Sequence, residues 1–95
     1  MSTIKRLVLD IMKPNEIETG EFARRLAKTD GADGVNATLI ESDKKVQNLK
    51  LTIEGDDVDA DTVEGTIEDL GGTIHSVDEV ACGDRLVEES PTHQD

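Results

Sequence analysis

The residues best suited to chemistry are His75, Asp78, Glu79 and Cys82 late in the chain, Asp10 near its start, and the acids between Asp56 and Asp61. A histidine acts as a general base, and a cysteine as a nucleophile, only beside a geometrically matched partner. The charged residue nearest in sequence to Cys82 is an acid, Asp84, which does not activate a thiol. Ser42 and Ser76 lack the Gly-x-Ser-x-Gly setting of a strained nucleophile turn. Gly71-Gly72 follows a helical pattern instead of opening one, and no lysine accompanies it, so it is not a phosphate loop. These residues form no catalytic constellation, and the expectation is a protein that is not an enzyme.

The carboxylates are better suited to holding cations. Asp57-x-Asp59-x-Asp61 with Glu68 eleven positions after Asp57 is the skeleton of an EF-hand loop. The sixth position is Thr62 where the loop needs glycine, and residues 62–68 read as helix, which pulls Glu68 away. The run therefore reads as a helix-capping loop. Glu64 and Glu68 stand at i,i+4 on a helix with no Lys or Arg, a spacing that repels mildly and reads as a face solvated in high salt. In a regular strand His75 and Glu79 share one face and Asp78 takes the other. Asp78 can then join Asp10 from a neighbouring strand. The candidate metal ligands are Asp10, Asp78 and Glu79, an oxygen set that suits Ca²⁺ or Mg²⁺ rather than Zn²⁺. The simpler reading of the same face is an ion-pair network among Arg6, Glu54 and Asp78.

The elements that must position these groups are short. A chain of 95 residues is one domain with a thin core. Phe22 is the only aromatic residue, so the core must be built from Leu, Ile, Val and Ala, and no base-stacking platform can be made. With 22 acidic against 10 basic residues, the net charge of −12 repels phosphate backbones, which excludes nucleic acid as a partner. The acids are spread over nearly every element, as in surfaces adapted to high salt, where repulsion is screened within about 3 Å at 1 M. One cysteine cannot make an internal disulfide, and no apolar run reaches the length of a membrane span. The sequence predicts a soluble cytoplasmic protein without membrane contact.

Residues 4–12 alternate as a strand, with Leu7, Leu9 and Ile11 on one face and Arg6, Val8 and Asp10 on the other. Lys13-Pro14 is expected to stop it. Asn15 with Glu18 reads as a capping box for a helix to about residue 29, with Phe22, Ala23, Leu26 and Ala27 inward. Residues 35–42 and 46–55 form a hairpin across Asp43-Lys44-Lys45. A second helix, capped by Asp61 with Glu64, runs to about Leu70 and ends at Gly71-Gly72. Residues 73–81 are the last strand. Residues 1–83 make the domain, and residues 84–95, with Pro91, read as a flexible acidic tail.

The order β-α-β-β-α-β is that of an α+β, ferredoxin-like sandwich, an antiparallel sheet ordered 4-1-3-2 with two helices on one face. One register between the first and third strands satisfies both faces. It sets Leu7, Leu9 and Ile11 opposite Ile53, Leu51 and Leu49, and Arg6 and Asp10 opposite Glu54 and Lys50. Opposite charges so paired contribute about 0.2–1 kcal/mol each. On the helix-free face Val8, Thr38, Ile40 and either Val77 or Ile74 leave a mixed surface of the kind that packs against another copy.

Several blocks carry a family resemblance: Arg6-Leu7-Val8-Leu9-Asp10, Lys13-Pro14, Gly34-Val35-Asn36, Thr52-Ile53-Glu54-Gly55, Ile67-Glu68-Asp69-Leu70-Gly71-Gly72 and Ile74-His75-Ser76-Val77-Asp78-Glu79-Val80. Over residues 3 to about 83 the chain resembles the archaeal domain of unknown function 211. The resemblance implies a ferredoxin-like domain that assembles with copies of itself, and the acidity then points to a haloarchaeal member. It brings no reaction and no catalytic residues. The functional expectation is a self-associating binding module, a homo-oligomer holding divalent cations through acidic side chains. The alternative is a small-ligand-sensing regulatory domain of the amino-acid-binding kind, with its ligand near Lys13-Pro14-Asn15; that rests on fold analogy.

Overall fold

A computed structural model describes residues 3–90. Its elements are β1 (Ile4–Pro14), α1 (Thr19–Ala27), β2 (Gly34–Ser42), β3 (Val46–Glu54), α2 (Ala60–Asp69) and β4 (Thr73–Cys82). The antiparallel sheet is ordered β2-β3-β1-β4, the expected order read from the other edge. Leu7, Leu9, Ile11, Leu49, Leu51 and Ile53 form one buried cluster with Phe22 and Leu26 of α1 and Val63 and Ile67 of α2, so both helices cover the same sheet face. The β1–β3 ladder has the expected register, with Arg6↔Glu54, Leu7↔Ile53, Leu9↔Leu51, Asp10↔Lys50 and Ile11↔Leu49.

Three local expectations are corrected. Lys13-Pro14 does not stop β1, which pairs with β3 as far as Pro14↔Val46. The β1–β4 ladder has already ended at Met12↔Thr73, so the missing proline N–H takes nothing from β4. Asn15 does not cap α1. Its amide donates to the carbonyls of Asp43 and Lys44 at 3.3 and 2.8 Å, tying the strand end to the β2–β3 hairpin. The helix starts later, at Thr19, and Glu18 at its cap position makes no side-chain cap bond. The cap of α2 is Asp59 rather than Asp61, accepting from the Thr62 N–H at 3.2 Å. Val58 is buried and its N–H donates to the Ile4 carbonyl at 2.9 Å, which pins the chain just before the cap. Val58 and Val63 flank that cap in the core cluster, at the spacing of a hydrophobic staple.

The C-terminus of α2 follows its glycines. The N–H of Gly72 donates to Ile67 at 2.9 Å and that of Gly71 to Glu68 at 3.0 Å, the paired bonds of a Schellman stop, with Gly71 at φ +87°. Gly31 is also closed to side chains: at φ +82°, an added Cβ would lie 1.7 Å from the Asp57 carbonyl oxygen.

The β1–β4 ladder is not regular. Its register shifts between Ile4 and Arg6, Val8 and Leu9, and Asp10 and Ile11, leaving Lys5 unpaired on β1 and Asp78 and His75 unpaired on β4. Each is an extra residue that reverses the inward–outward alternation beyond it. Ile74, Val77 and Val80, spaced by three, therefore oppose Ile11, Leu9 and Leu7 on the helix side. The expectation that Val77 or Ile74 lies on the helix-free face is overturned by these two bulges. A further shift between Leu39 and Glu41 leaves Ile40 unpaired on β2.

Candidate functional site

The helix-free face is built from Arg6, Val8, Asp10 and Met12 of β1 and what opposes them. Arg6 lies opposite Glu54 of β3 and Ala81 of β4. Its Nε donates to Glu54 at 2.7 Å and one terminal nitrogen to Glu79 at 3.3 Å. Both terminal nitrogens grip the two oxygens of Glu88, at 2.8 and 3.1 Å. This is the fork geometry in which a guanidinium binds a carboxylate most specifically. The bonds that Arg6 donates to Glu88 and Glu54 raise its pKa above the ordinary value; burial opposes them, and the bond to Glu79 adds a smaller rise. The Glu88 carboxyl is held below the usual carboxylate range by its hydrogen bonds to Arg6 and by that charge.

Glu79, not Asp78, is the β4 acid that meets Arg6. The bulge at Asp78 reverses the parity and brings Glu79 opposite Val8 on the open face. Asp78 accepts from the Ser76 hydroxyl at 2.7 Å. Asp10 lies opposite Lys50 and Ser76 and accepts from the Asn48 amide, which also donates to the Ile11 carbonyl at 3.0 Å. The three expected ligands are thus tied separately: Asp10 to Asn48, Asp78 to Ser76, Glu79 to Arg6. Among the described residues no three His, Cys, Asp or Glu side chains gather to hold a metal. Glu68 lies within α2, and Asp59 is engaged as its cap. His75 occupies a bulge, and Cys82 is exposed at the end of β4 as a free thiol.

Two cations of β1 therefore serve opposite faces. Lys13 continues the odd series Leu7, Leu9, Ile11, and its side chain is 1% exposed. Its ammonium donates to the Pro14 carbonyl at 2.9 Å and to the Ile17 carbonyl, closing the turn before α1. Burial lowers its pKa, against the attraction of Glu16 and Glu18. The alternation of β1 already aims Lys13 inward, so its burial was open to sequence reasoning. Glu88 was not, because it lies beyond the last periodic element.

Beside Glu54 the open face has a groove of about 610 Å³ lined by Asp33, Gly34, Val35, Asn36, Thr52 and Glu54. A smaller hollow of about 270 Å³ adjoins it, where Leu86 meets Lys5, Glu54, Gly55 and Asp56. No helix of the described residues is long and apolar enough to cross a membrane.

A family model described as DUF211, an uncharacterized archaeal family, matches residues 5–95. The chain is also 48% identical over 95 residues to the uncharacterized protein MJ0319 of Methanocaldococcus jannaschii, an alignment covering all of this chain and 98% of that protein.

Proposed function

Since the chain belongs to the DUF211 family, whose activity is undescribed, we propose that it acts as a self-associating binding module and not as an enzyme. The observation that carries this reading is the placement of apolar surface. Leu39 and Ile40 on β2, and Val77 and Val80 on β4, are half-exposed along the two edges of the sheet. A domain with so few large apolar residues gains by burying them, and edge strands are where copies of a chain meet. A contact between unlike edges joins copies head to tail. The spread of acids fits a protein working in high salt, where −12 charges repel little between copies.

The cation part of the reading rests on Asp10 and Asp78: Ser76, whose hydroxyl donates to Asp78, lies opposite Asp10 on the neighbouring strand. With Glu79 engaged by Arg6, a Ca²⁺ or Mg²⁺ ion there takes its remaining oxygens from a second copy or from water. Light scattering in concentrated KCl tests the assembly. Mass rising with concentration is expected, and a monodisperse monomer throughout would sink the reading. Calorimetric titration with Ca²⁺ in the same buffer tests the cation, and a flat trace removes it.

The regulatory-domain alternative draws on the groove beside Glu54. The Lys13–Asn15 loop offers such a ligand little, since Lys13 is buried and Asn15 is tied to the hairpin. Thermal shift against amino acids discriminates: stabilisation by one of them favours this alternative.

A further inference from the structure

The chain does not run away from the domain after β4. At Gly83 the N–H donates to the Thr3 carbonyl at 2.9 Å, extending the β1–β4 ladder, and φ is +113°, where an added Cβ would meet open space. The segment then crosses the sheet. By Leu86 it has reached the hollow beside Gly55 and Asp56, on the β3 side of β1. Glu88 then sets both carboxylate oxygens on Arg6. Around this crossing the helix-free face is closed. Val8 is 5% exposed and Ala81 8%, whereas Met12, farther along the same face of β1, is 36% exposed.

We propose that residues 84–88 are a strap that closes this end of the open sheet face, with Glu88 as its latch on Arg6, and that a second copy competes with the strap for that end. The competition, though not the strap, rests on the self-association reading above. The latch is suited to the task because it is specific and yet reversible. A fork on a guanidinium fixes where the strap lands. Glu88 is largely exposed, so water and salt weaken the pair, and a carboxylate from another chain can replace it. Glu54 and Glu79 keep Arg6 in place when the latch opens, so the cation stays presented to a newcomer.

The test uses the full chain, Glu88→Gln, and Glu89→Gln as a control of equal charge change. Backbone ¹⁵N relaxation reads the strap. Order parameters at residues 84–88 are expected near the roughly 0.85 of rigid backbone in the native and control chains, and below about 0.6 in Glu88→Gln. A segment already mobile in the native chain overturns the strap, and one equally ordered in all three overturns Glu88 as its latch. Sedimentation of the same proteins reads the competition. Glu88→Gln is expected to associate at least about threefold more tightly, roughly 0.65 kcal/mol at 25 °C. Equal association overturns the competition. So does weaker association, which would place the strap inside the interface. If none of the three associates, the self-association reading fails and the competition with it, while the relaxation result still decides the strap.

Discussion

Along β3, β1 pairs residue for residue from Arg6↔Glu54 to Pro14↔Val46; along β4, the same strand loses register three times between Ile4 and Met12. The two flanks of one central strand solve different problems. β3 is an interior strand whose inward residues, Leu49, Leu51 and Ile53, are fully buried, and a one-residue slip would expose all of them. β4 is an edge with Val77 and Val80 half in solvent, so little burial opposes an extra residue. Its bulges have two effects. They turn Glu79 onto the face where Arg6 needs a partner. They also interrupt the free edge, which discourages indiscriminate strand addition. Regularity holds where burial enforces it and gives way where electrostatics and edge protection have more to gain.

Single-residue deletions should break this comparison most sharply. Removing Lys50 makes Leu49 and Leu51 consecutive, so either Leu49 or Leu51 with Ile53 must leave the core. Each such side chain is worth about 1.5–3 kcal/mol of burial. The loss is a large share of the roughly 5–15 kcal/mol that holds a domain. Removing Asp78 instead makes Val77 and Glu79 consecutive, already opposite Leu9 and Val8 on opposite faces. That deletion is expected to cost less than about 1 kcal/mol. Urea midpoints decide, and equal damage from the two deletions would contradict the bulge at Asp78.

The same contrast explains what the sequence made legible. The β1–β3 register could be read because two signals agree, apolar against apolar on one face and Arg6–Glu54 with Asp10–Lys50 on the other. The β4 bulges could not, since His75 and Asp78 are ordinary polar residues and a bulge leaves no periodic mark. Parity counted through them misplaced Glu79 and assigned its partnership with Arg6 to Asp78. The caps were misplaced by a related cause. Asn15 and Asp61 have the right chemistry, but tertiary bonds at Asn15 and Val58 set where each helix begins. Glu88 sits in a stretch with neither pattern nor cap, and only the folded geometry brings it back to Arg6. The last tail residues, with Pro91, lie outside the described residues.

Side-chain truncations sharpen the contrast with less disruption. Leu51→Ala empties a fully buried site and should cost about 2–5 kcal/mol. Val77→Ala, on the same sheet face but half-exposed at the edge, should stay within about 0.5 kcal/mol. The pair is read from denaturant midpoints at constant slope. A Val77→Ala loss near that of Leu51→Ala would mean that the β4 edge is covered in solution.

Arg6 and Lys13 extend the comparison to the two faces of β1, through pH. Burial on the helix side lowers the Lys13 pKa, so between that value and the ordinary lysine value, near 10.4, the unfolded chain binds more protons. The cost of burying the ammonium is full below the folded pKa and fades as pH rises through this window. Stability should therefore gain from Lys13 as pH rises, and Lys13→Met should flatten that gain. A thermal-midpoint profile between pH 8 and about 10.4 reads it. The same slope in both chains would place Lys13 in water.

On the open face the slope has the same sign, since the Glu88 pKa is lowered too, but here the charged group stabilises instead of costing, and the effect is the smallest because the latch is exposed. Arg6 holds the Glu88 carboxyl below its unfolded value, near 4.3, so the latch contributes fully above that pH. The contribution is lost as pH falls through the lower, folded value. Native and Glu88→Gln chains should then differ in thermal midpoint, and in mobility at residues 84–88, at neutral pH, and converge in acid below the ordinary carboxylate range. The difference should also shrink in concentrated salt, since an exposed ion pair is screened within a few ångströms at about 1 M. Chains that already agree at neutral pH would show that the strap is held by Leu86 in its hollow and not by the latch.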